Sequence, residues 1–420
     1  MSFLYSVSWT ANLENEDLYW CNISDVVKHY SKGAFFIMKE LSADNTDPKI
    51  EVYSLYDIKT YQKFGLNILE NEYIVMHASE DSNLEFLDWF LGSGLELKYD
   101  QRAINGASSN GRLRVLDWFL GSGLELKYDC RAINWASYNN HLKILNWWLD
   151  SGLELKYDHL AIRFAAGNGH LDVLNWFLGS GLKLQYDCHA INMASAHGHS
   201  LILDWFLGSG LKLQYDCWAI NWASESNHLH ILNWWLDSGL KLKYNEDAIE
   251  LASRNGHLQV LNWWLCSGLE LKYDSWAISE ASRNGHLQVL NWWLDSRLEL
   301  KYDSKAMKSA SKNGHLHVLN WFLGSGLKLK YDSKAIDSTI KNRKVRVIEW
   351  WIQSDLPLKY TKCPVIWASE NGHLSILKLW ATAGLPFDSS ERAIALASEH
   401  NRFEVLNWWN EMGFGIGPKN

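Results

Sequence analysis

The stretch DSWAISEASRNGHLQVLNWWLDSRLELKY, Asp274–Tyr302, is one copy of a unit that recurs along the chain. Its last tyrosine recurs every 29 residues without insertion or deletion, at Tyr99, Tyr128, Tyr157, Tyr186, Tyr215, Tyr244, Tyr273, Tyr302, Tyr331 and Tyr360. The first aromatic residue of the NWW core keeps this spacing from Trp89 to Trp350, is Leu379 in the next copy, and returns as Trp408. Twelve copies of the core are therefore in register. A fixed period indicates small structural units that each pack on their neighbours.

Each copy predicts two short helices. In DSWAISEASRNG, Ala277, Ile278 and Ala281 fall at positions i, i+1 and i+4, which predicts a helix with a narrow apolar stripe. The following Asn-Gly pair tolerates the left-handed conformation that ends helices. In HLQVLNWWLDSR, apolar residues cover most of the second helix, which predicts its burial on most of its circumference: Leu287, Val289, Leu290, Trp292, Trp293 and Leu294.

The end of the second helix and the connection that follows also have a recognisable pattern. Glycine stands at this end in most copies, at Gly94, Gly123, Gly152, Gly181, Gly210, Gly239, Gly268, Gly326, Gly384 and Gly413. Arg297 and Asp355 replace it in two copies, where a left-handed residue would cost about 1 kcal/mol. The residues LELKYD alternate apolar and polar, which predicts an extended connection, and the Asp is placed to cap the next helix.

The recurrent tryptophans are interpreted as core. A buried Trp ring removes on the order of 150 to 250 Å² from water, and this compensates for the shortness of the repeat. A cofactor site or a platform for stacking bases is the alternative. Rings at helical spacing are ordinarily core, so we predict no cofactor.

Composition favours a soluble intracellular protein, expected in the cytoplasm. No stretch approaches the roughly 20 uninterrupted apolar residues of a membrane helix, and no basic region precedes the N-terminal apolar run. The six cysteines include three at one repeat position. Packed helices lie roughly 8 to 10 Å apart, whereas the Cα atoms of a disulfide lie within about 7 Å, so no disulfide framework is expected.

The formal charge of −8 is unevenly distributed. Residues 1–100 carry 17 acidic residues against 7 Lys/Arg, a net charge of −10. Residues 301–346 carry 11 Lys/Arg against 3 Asp, a net charge of +8. An anionic partner is therefore expected at the second region.

The repeat resembles the ankyrin family. In that family an A-A-x-x-G-H-L junction joins two helices, V-V-x-L-L-L lies in the second helix, and x-x-G-A-D closes the unit. The junction is matched by Ala281, Ser282, Gly285, His286 and Leu287, and the second helix by Val289, Leu290, Trp292, Trp293 and Leu294. The likeness covers about residues 64 to 413. Compact, Trp-rich units of this kind are similar to arrays of some fungi and large DNA viruses.

This unit departs from the family in length and at its start. The family repeat is about 33 residues long and opens with T-P-L-H, whereas here the unit has 29 residues and reads Trp276, Ala277, Ile278, Ser279. The resemblance implies an all-α, ankyrin-like solenoid of about twelve helix-turn-helix repeats, and the missing residues imply short connecting loops. We predict three regions: an atypical N-terminal cap or small recognition region at 1–60, the array at 61–413, and a C-terminal tail at 414–420.

Recurrent histidines are the most chemically suggestive feature, at His141, His170, His199, His228, His257, His286, His315 and His373. A zinc ladder would need ligands about 2.0 Å from one ion, and equivalent positions in successive repeats lie roughly 10 Å apart. We predict no metal site, and expect each imidazole to bond the backbone of the turn between helices. The H-x-H pairs, such as His228 with His230, are expected to diverge. No catalytic set or phosphate loop stands out, so we predict no enzyme.

Function is expected where the copies differ. The position after each Ala-Ser pair, or after the Ala-Ala and Thr-Ile that replace the pair in two copies, is placed on a concave contact face by the ankyrin resemblance. It reads Ser109, Tyr138, Gly167, Ala196, Glu225, Arg254, Arg283, Lys312, Lys341, Glu370 and Glu399. Four successive bases run along it, and Lys305 and Lys334 lie nearby. We predict partner-binding residues at Tyr138, Glu225, Arg254, Arg283, Lys312, Lys341, Lys305 and Lys334. An ordinary solvated face is the alternative.

The sequence thus predicts a monomeric, non-enzymatic scaffold that presents a concave repeat surface to a protein partner, in particular to an acidic segment. One alternative is nucleic-acid binding through the basic region 301–346, which a steep salt dependence would reveal. Another is an adaptor that recruits a partner, such as a ubiquitin ligase, through residues 1–60.

Overall fold

The computed structural model describes residues 2–8, 20–41, 50–96, 98–361 and 363–414. Contacts divide the chain into two compact units. The first contains Met1–Ala194 and Leu201–Gln214, and the second contains Ser195–Ser200 and Tyr215–Asn420. Residues 415–420 of the predicted C-terminal tail lie outside the described residues.

The chain begins with a small antiparallel sheet rather than with helices. Its strands are β1 Ser2–Ser8, β2 Phe35–Leu41 and β3 Ile50–Ser54, in the order β1-β2-β3. A 3-10 helix, Ile23–Lys32, joins β1 to β2, while α1 Ile58–Phe64 and a short 3-10 turn, Ile68–Glu70, follow β3. The all-α expectation did not include these strands, because an apolar run such as FFIM does not distinguish a strand from a helix.

Beyond the sheet, the first unit consists of consecutive helix pairs. We call the first helix of each pair the A helix and the second the B helix. The A helices are α2 Ile74–Glu80, α4 Gln101–Ser109, α6 Arg131–Tyr138, α8 His159–Gly167 and α10 Cys188–Ala196. The B helices are α3 Leu84–Gly92, α5 Leu113–Gly121, α7 Leu142–Asp150, α9 Leu171–Gly179 and α11 Ser200–Gly208. The last two residues of α10 and the first of α11 are grouped with the second unit.

The second unit continues the same arrangement. Its A helices are α12 Trp218–Glu225, α14 Asp247–Arg254, α16 Ser275–Arg283, α18 Ser304–Asn313, α20 Ser333–Lys341, α22 Cys363–Glu370 and α24 Ser390–Glu399. Its B helices are α13 Leu229–Asp237, α15 Leu258–Cys266, α17 Leu287–Asp295, α19 Leu316–Gly324, α21 Val345–Gln353, α23 Leu374–Thr382 and α25 Phe403–Glu411. The described part of the chain thus holds twelve helix pairs, which confirms the predicted ankyrin-like solenoid of helix-turn-helix repeats.

The core of each repeat lies between its two helices and those of its neighbours. On α16, Ala277, Ile278 and Ala281 are buried, as the narrow stripe predicts. Neighbouring A helices lie in closer contact than neighbouring B helices do, because small alanine side chains permit close approach.

The B helices are less buried than the apolar pattern of the sequence predicts. On α17, Val289, Leu290 and Trp293 are fully buried, but Trp292 is half-buried and Leu294 is 38% exposed. The prediction of burial on most of the circumference is therefore wrong. A B helix within the array packs against the A helix of its repeat on one side and against neighbouring B helices on two others. Its fourth side remains in contact with solvent.

The connections are short and extended, and recurrent side chains hold them in register. Asp274 accepts a hydrogen bond from the backbone N–H of Trp276, so the predicted capping of the A helix is confirmed. The Tyr273 hydroxyl donates to the carbonyl of Glu299 in the next connection at 3.1 Å. The Lys301 ammonium lies 4.5 Å from the centre of the Tyr273 ring. Each loop therefore contacts the next one through its tyrosine.

Two residues at the ends of B helices adopt the left-handed conformation that the sequence predicts. Arg297 has φ = 59° and Asp355 has φ = 56°, where other copies have glycine. Because a side chain in this conformation costs about 1–2 kcal/mol, we expect Arg297→Gly and Asp355→Gly each to stabilise the adjacent repeats by about 0.5–1 kcal/mol. Urea denaturation midpoints measure this effect.

The matched control is the reverse change in a neighbouring repeat. Gly268 has φ = 73°, and a Cβ atom at this position would meet no atom within 4 Å. Gly268→Arg therefore tests backbone conformation alone and should lower the midpoint. Equal midpoints for Arg297→Gly, Gly268→Arg and the unchanged chain would contradict the explanation.

Two further structural findings concern the whole described chain. The cysteines whose side chains are described form no disulfide bond with one another: Cys21, Cys130, Cys188, Cys217 and Cys266. No helix among the described residues is both long enough and apolar enough to cross a membrane.

Candidate functional site

The predicted partner-binding residues lie on the A helices, in the first or the last turn. Arg254, Arg283 and Lys341 end α14, α16 and α20, and Lys312 lies in the last turn of α18. Lys305 and Lys334 lie near the start of α18 and α20. We call the exposed side of the A helices the A face. All six of these basic residues belong to the second unit.

Both predicted arginines form ion pairs with glutamate side chains of the A helices. Arg254 Nη2 lies 3.0 Å from Glu250 Oε1, and Arg254 Nε lies 3.2 Å from Glu280 Oε2. Arg283 Nη1 lies 3.4 Å from Glu280 Oε1. The Glu280 side chain is only 5% exposed. Arg254 and Arg283 therefore compensate the buried carboxylate of Glu280, and Arg254 also compensates that of half-buried Glu250, which reduces the charge the two arginines present to a partner.

In the part of the chain that the structure describes, three of the four lysines lack the ion pairs that the two arginines form. Lys305, Lys312, Lys334 and Lys341 are all exposed. Lys305 Nζ lies 3.9 Å from Asp303 Oδ2 and 4.2 Å from the centre of the Trp276 ring. Within the described residues, the other three lysines form no ion pair with a carboxylate. The exposed positive charge of the A face is therefore concentrated on α18 and α20.

The two remaining predicted positions differ in character. Tyr138 is 40% exposed and lies in the first unit, where its ring is 5.3 Å from that of Trp135 and 5.5 Å from that of Phe164. Glu225 is half-buried at the end of α12, in the second unit. Tyr138 thus belongs to an aromatic cluster, whereas Glu225 is an isolated acidic residue.

The recurrent histidine holds the backbone of the variable position in the preceding repeat. His315 Nε2 donates to the carbonyl of Arg283 at 2.9 Å, and Asn313 Nδ2 donates to the same oxygen at 3.0 Å. His257 and Asn255 make the same two bonds to Glu225. Each of these two imidazoles thus bonds a backbone carbonyl, as predicted. The carbonyl belongs to the end of the A helix of the preceding repeat, however, and not to the turn of the same repeat. The side chain at the variable position can change while its backbone stays fixed.

The H-x-H pairs converge, contrary to the sequence prediction. The ring centres of His228 and His230 lie 5.5 Å apart, and those of His315 and His317 lie 5.6 Å apart. His228 caps α13 with non-helical dihedral angles (φ = −89°, ψ = 74°), so helical geometry does not separate the two rings. Among the described residues, no group of three or more His, Cys, Asp or Glu side chains is arranged to hold a metal ion.

Stability should fall in mild acid because of these histidines. Burial is the first cause that lowers the pKa of His228, His315 and His373, and neighbouring histidines, lysines or arginines lower it further. A His whose folded pKa is depressed contributes full stability above its unfolded pKa, about 6.5. This contribution is lost as the pH falls from there towards the folded pKa, because the unfolded chain binds protons first. We expect a lower melting temperature at pH 5.5 than at pH 7.5.

The chain supplies a non-titrating control for this prediction. Arg402 occupies the equivalent position in another repeat and donates through Nε to the carbonyl of Glu370 at 2.9 Å. The triple variant His228→Arg, His315→Arg, His373→Arg keeps the donors and removes the titration. Its melting temperature should therefore depend less on pH. An unchanged pH dependence would show that other groups cause it.

Each B helix from α5 to α21 carries two consecutive aromatic residues, and the two have different roles. The second ring is fully buried. For example, Trp264 Nε1 donates a hydrogen bond to Ser224 Oγ, 40 residues earlier, at 3.1 Å. The first ring is half-buried. For example, Trp292 Nε1 donates a hydrogen bond to Asn262 Oδ1, 30 residues earlier, at 2.7 Å. Both rings therefore join neighbouring repeats. The recurrent rings predict core packing but not the ladder of hydrogen bonds, whose signal in the sequence is an Asn 30 residues before the first ring and a Ser 40 residues before the second.

The comparisons with known proteins identify a viral relative and an ankyrin-repeat structure. No family model matches the chain. It is 35% identical over 107 residues to the uncharacterised protein L696 of Acanthamoeba polyphaga mimivirus, a match that covers 22% of this chain and 34% of that protein. The chain thus spans about a third of the length of that relative. The source agrees with the resemblance to arrays of large DNA viruses.

Among solved structures, the chain is similar to the crystal structure of the human ASB11 ankyrin repeat domain. The sequence identity is 17% and the TM-score is 0.37, over 45% of this chain and 96% of that domain.

Proposed function

We propose that this array of ankyrin-like repeats is a non-enzymatic scaffold that binds an acidic segment of a protein partner on the A face of α18 and α20. The observation that supports the proposal is that the arginines and the lysines of the A face differ in their ion pairs. Arg254 and Arg283 are paired with internal carboxylates, whereas Lys312, Lys334 and Lys341 are exposed and form no ion pair within the described chain.

The scaffold around these lysines supports the proposal. The backbone at variable positions is fixed by side chains of the following repeat, as at Arg283, so a binding surface on the A helices would be preorganised. Preorganisation reduces the entropy lost on binding. Unpaired lysines attract an acidic segment over a range set by the ionic strength.

The direct test is a titration of a fluorescently labelled peptide of alternating Glu and Ala. The fourfold variant Lys305→Glu, Lys312→Glu, Lys334→Glu, Lys341→Glu should bind at least about tenfold more weakly than the unchanged chain, since it replaces attraction by repulsion at four positions. The matched control, Lys143→Glu, Lys183→Glu, Lys212→Glu, Lys241→Glu, makes the same change of charge at exposed positions elsewhere. It should bind the peptide nearly as well as the unchanged chain.

Two outcomes would reject the proposal. Equal losses in both variants would mean that only net charge matters. Tighter binding of duplex DNA than of the peptide, with a steep logarithmic dependence on salt, would assign the basic region 301–346 to nucleic acid instead.

We also propose that residues 1–60 act as a cap on the array of residues 61–413. The rings of Phe36 and Phe64 lie 4.7 Å apart, and His77 Nε2 donates to the carbonyl of Tyr30 at 3.1 Å. These contacts support a cap that packs on the first repeats. An adaptor segment that recruits a further partner would instead be expected to bind that partner as an isolated peptide.

A further inference from the structure

A cavity of about 330 Å³ opens on the A helices of the first unit, far along the sequence from the basic residues discussed above. Its lining includes Met76 and Glu80 from α2, Gly106 from α4, and Trp135 from α6. Position 106 is glycine, so it adds no side chain to this space. Most equivalent positions of other repeats hold larger side chains, such as Trp135, Phe164, Leu251 and Leu396, although Ser309 and Ser338 are small.

Glu80 is the one acidic side chain of this lining, and it lacks a cationic partner. A Cβ atom at position 106 would lie 2.9 Å from Glu80 Cγ, so this side chain lies directly over the glycine. Its only ion-pair contact among the described residues is His77 Nδ1, 4.0 Å away. Burial lowers the pKa of His77, which is therefore neutral near pH 7. Burial, and then Asp81, raise the pKa of Glu80 to about 7, as expected for a carboxyl group without a cation beside it.

The two arginines at the cavity do not supply that cation. Arg102 Nε lies 2.9 Å from Asp100 Oδ2, and its guanidinium lies 4.3 Å from the centre of the Tyr73 ring. Arg131 Nη2 lies 2.7 Å from Asp129 Oδ2. Each arginine is therefore matched by the capping Asp of its own helix. Among the described residues, Glu80 is therefore the carboxyl group of this lining that has no guanidinium or ammonium group beside it.

Trp135 supplies a second cation-recognising group. Its ring is 39% exposed although it packs 5.4 Å from the ring of Phe164. The face of an exposed indole attracts a cation that lies within about 6 Å of its centre. Met76 adds an apolar surface against which an aliphatic stem can lie.

We infer that this cavity binds a lysine or arginine side chain of a basic protein segment. The stem of that side chain lies along Met76 and Trp135, and its charged group contacts Glu80. The net charge of −10 on residues 1–100 attracts such a segment. The inference extends the proposed scaffold function with a second site of opposite preference, so the array would contact basic and acidic segments at separate places.

The experiment measures the binding of two labelled 15-residue peptides to the full chain by fluorescence anisotropy. One peptide alternates Lys and Ala, and in the other every Lys is acetylated. The Lys peptide should bind and the acetylated peptide should not. Glu80→Gln should weaken binding of the Lys peptide about tenfold, since it removes one charge-assisted contact. Glu85→Gln, which makes the same change of charge at an exposed position on α3, is the control and should have little effect.

Two further variants separate binding from folding. Leucine stands at the same repeat position in Leu251, so the repeat accommodates Trp135→Leu, whereas Gly106→Leu requires the Glu80 side chain to shift, because the new Cβ atom would lie 2.9 Å from Glu80 Cγ. Gly106→Leu displaces Glu80 and fills the cavity, so it should abolish binding while α4 stays helical, because leucine favours a helix over glycine. Trp135→Leu should weaken binding severalfold. Binding within twofold of the unchanged chain in Glu80→Gln and Gly106→Leu, or equal binding of both peptides, would overturn the inference.

Binding of the Lys peptide at the cavity can be tested separately from binding of the acidic peptide on α18 and α20. The fourfold lysine variant described above should bind the Lys peptide at least as tightly as the unchanged chain does. Loss of Lys-peptide binding with retained binding of the acidic peptide would reject this cavity alone. The opposite result would reject the basic A face alone.

Discussion

Replacing Trp264 with alanine is expected to lower the local free energy of unfolding of its repeat by about 3–5 kcal/mol. The Trp264 ring is 1% exposed, and its centre lies 4.8 Å from that of Tyr244. Alanine leaves a large cavity there and removes the bond from Nε1 to Ser224 Oγ. Hydrogen exchange of amides in α15 measures this loss repeat by repeat, which suits a long array that need not unfold in one step.

The pair Trp264–Ser224 also predicts a coupling energy. Ser224→Ala alone leaves a buried N–H without an acceptor, at a cost of about 1–3 kcal/mol. Trp264→Phe removes that donor, and the chain already contains the combination at the same spacing in Ala166 and Phe206. In the double variant, the second substitution should cost about 1 kcal/mol less than it does alone. Strictly additive losses would show that this hydrogen bond does not contribute to stability.

Replacing Phe36 with alanine is expected to have an effect of similar size, about 3–5 kcal/mol, at the other end of the chain. Phe36 is fully buried on β2, and its ring lies 4.7 Å from Phe64 and 5.5 Å from Tyr5. The loss should extend beyond the sheet. Since the carbonyl of Tyr30 accepts a hydrogen bond from buried His77 on α2, amides of α2 should exchange faster as well.

Val27→Ala is the control for Phe36→Ala. Val27 lies in the 3-10 helix next to the sheet and is 37% exposed, so its truncation should change exchange little. Faster exchange confined to the strands in Phe36→Ala, with α2 unchanged, would mean that the N-terminal region folds independently of the repeats. In that case the cap would be rejected and the adaptor alternative favoured.

The sequence predicts the repeating architecture because its signals are local and recur in register. Ala277 and Ala281 mark the buried stripe, Asp274 marks the cap, and glycine marks the left-handed residue. Arg297 adopts that left-handed conformation although its side chain disfavours it. The geometry shared by all repeats therefore outweighs the backbone preference of this one residue. The strands had no recurring copy to support them and were missed.

The site was less predictable because contacts between repeats decide its charge. The pair Glu250 and Arg254 can be read from the i, i+4 spacing on one helix. The contact of Arg254 with Glu280 joins residues 26 apart and depends on how closely successive A helices stack. Likewise, the cavity over Gly106 depends on the side chain of Glu80 in the preceding repeat. Neither contact has a signal within a single copy.

The central claim is that recurrent residues hold the repeats together while the variable side chains of the A helices bind partners. Hydrogen exchange of the full chain, measured with and without the Glu-Ala peptide, tests it most directly. Slower exchange concentrated in α18 and α20 is the predicted result. Slower exchange confined to the B helices or to the LELKYD connections, or no change anywhere on binding, would contradict it.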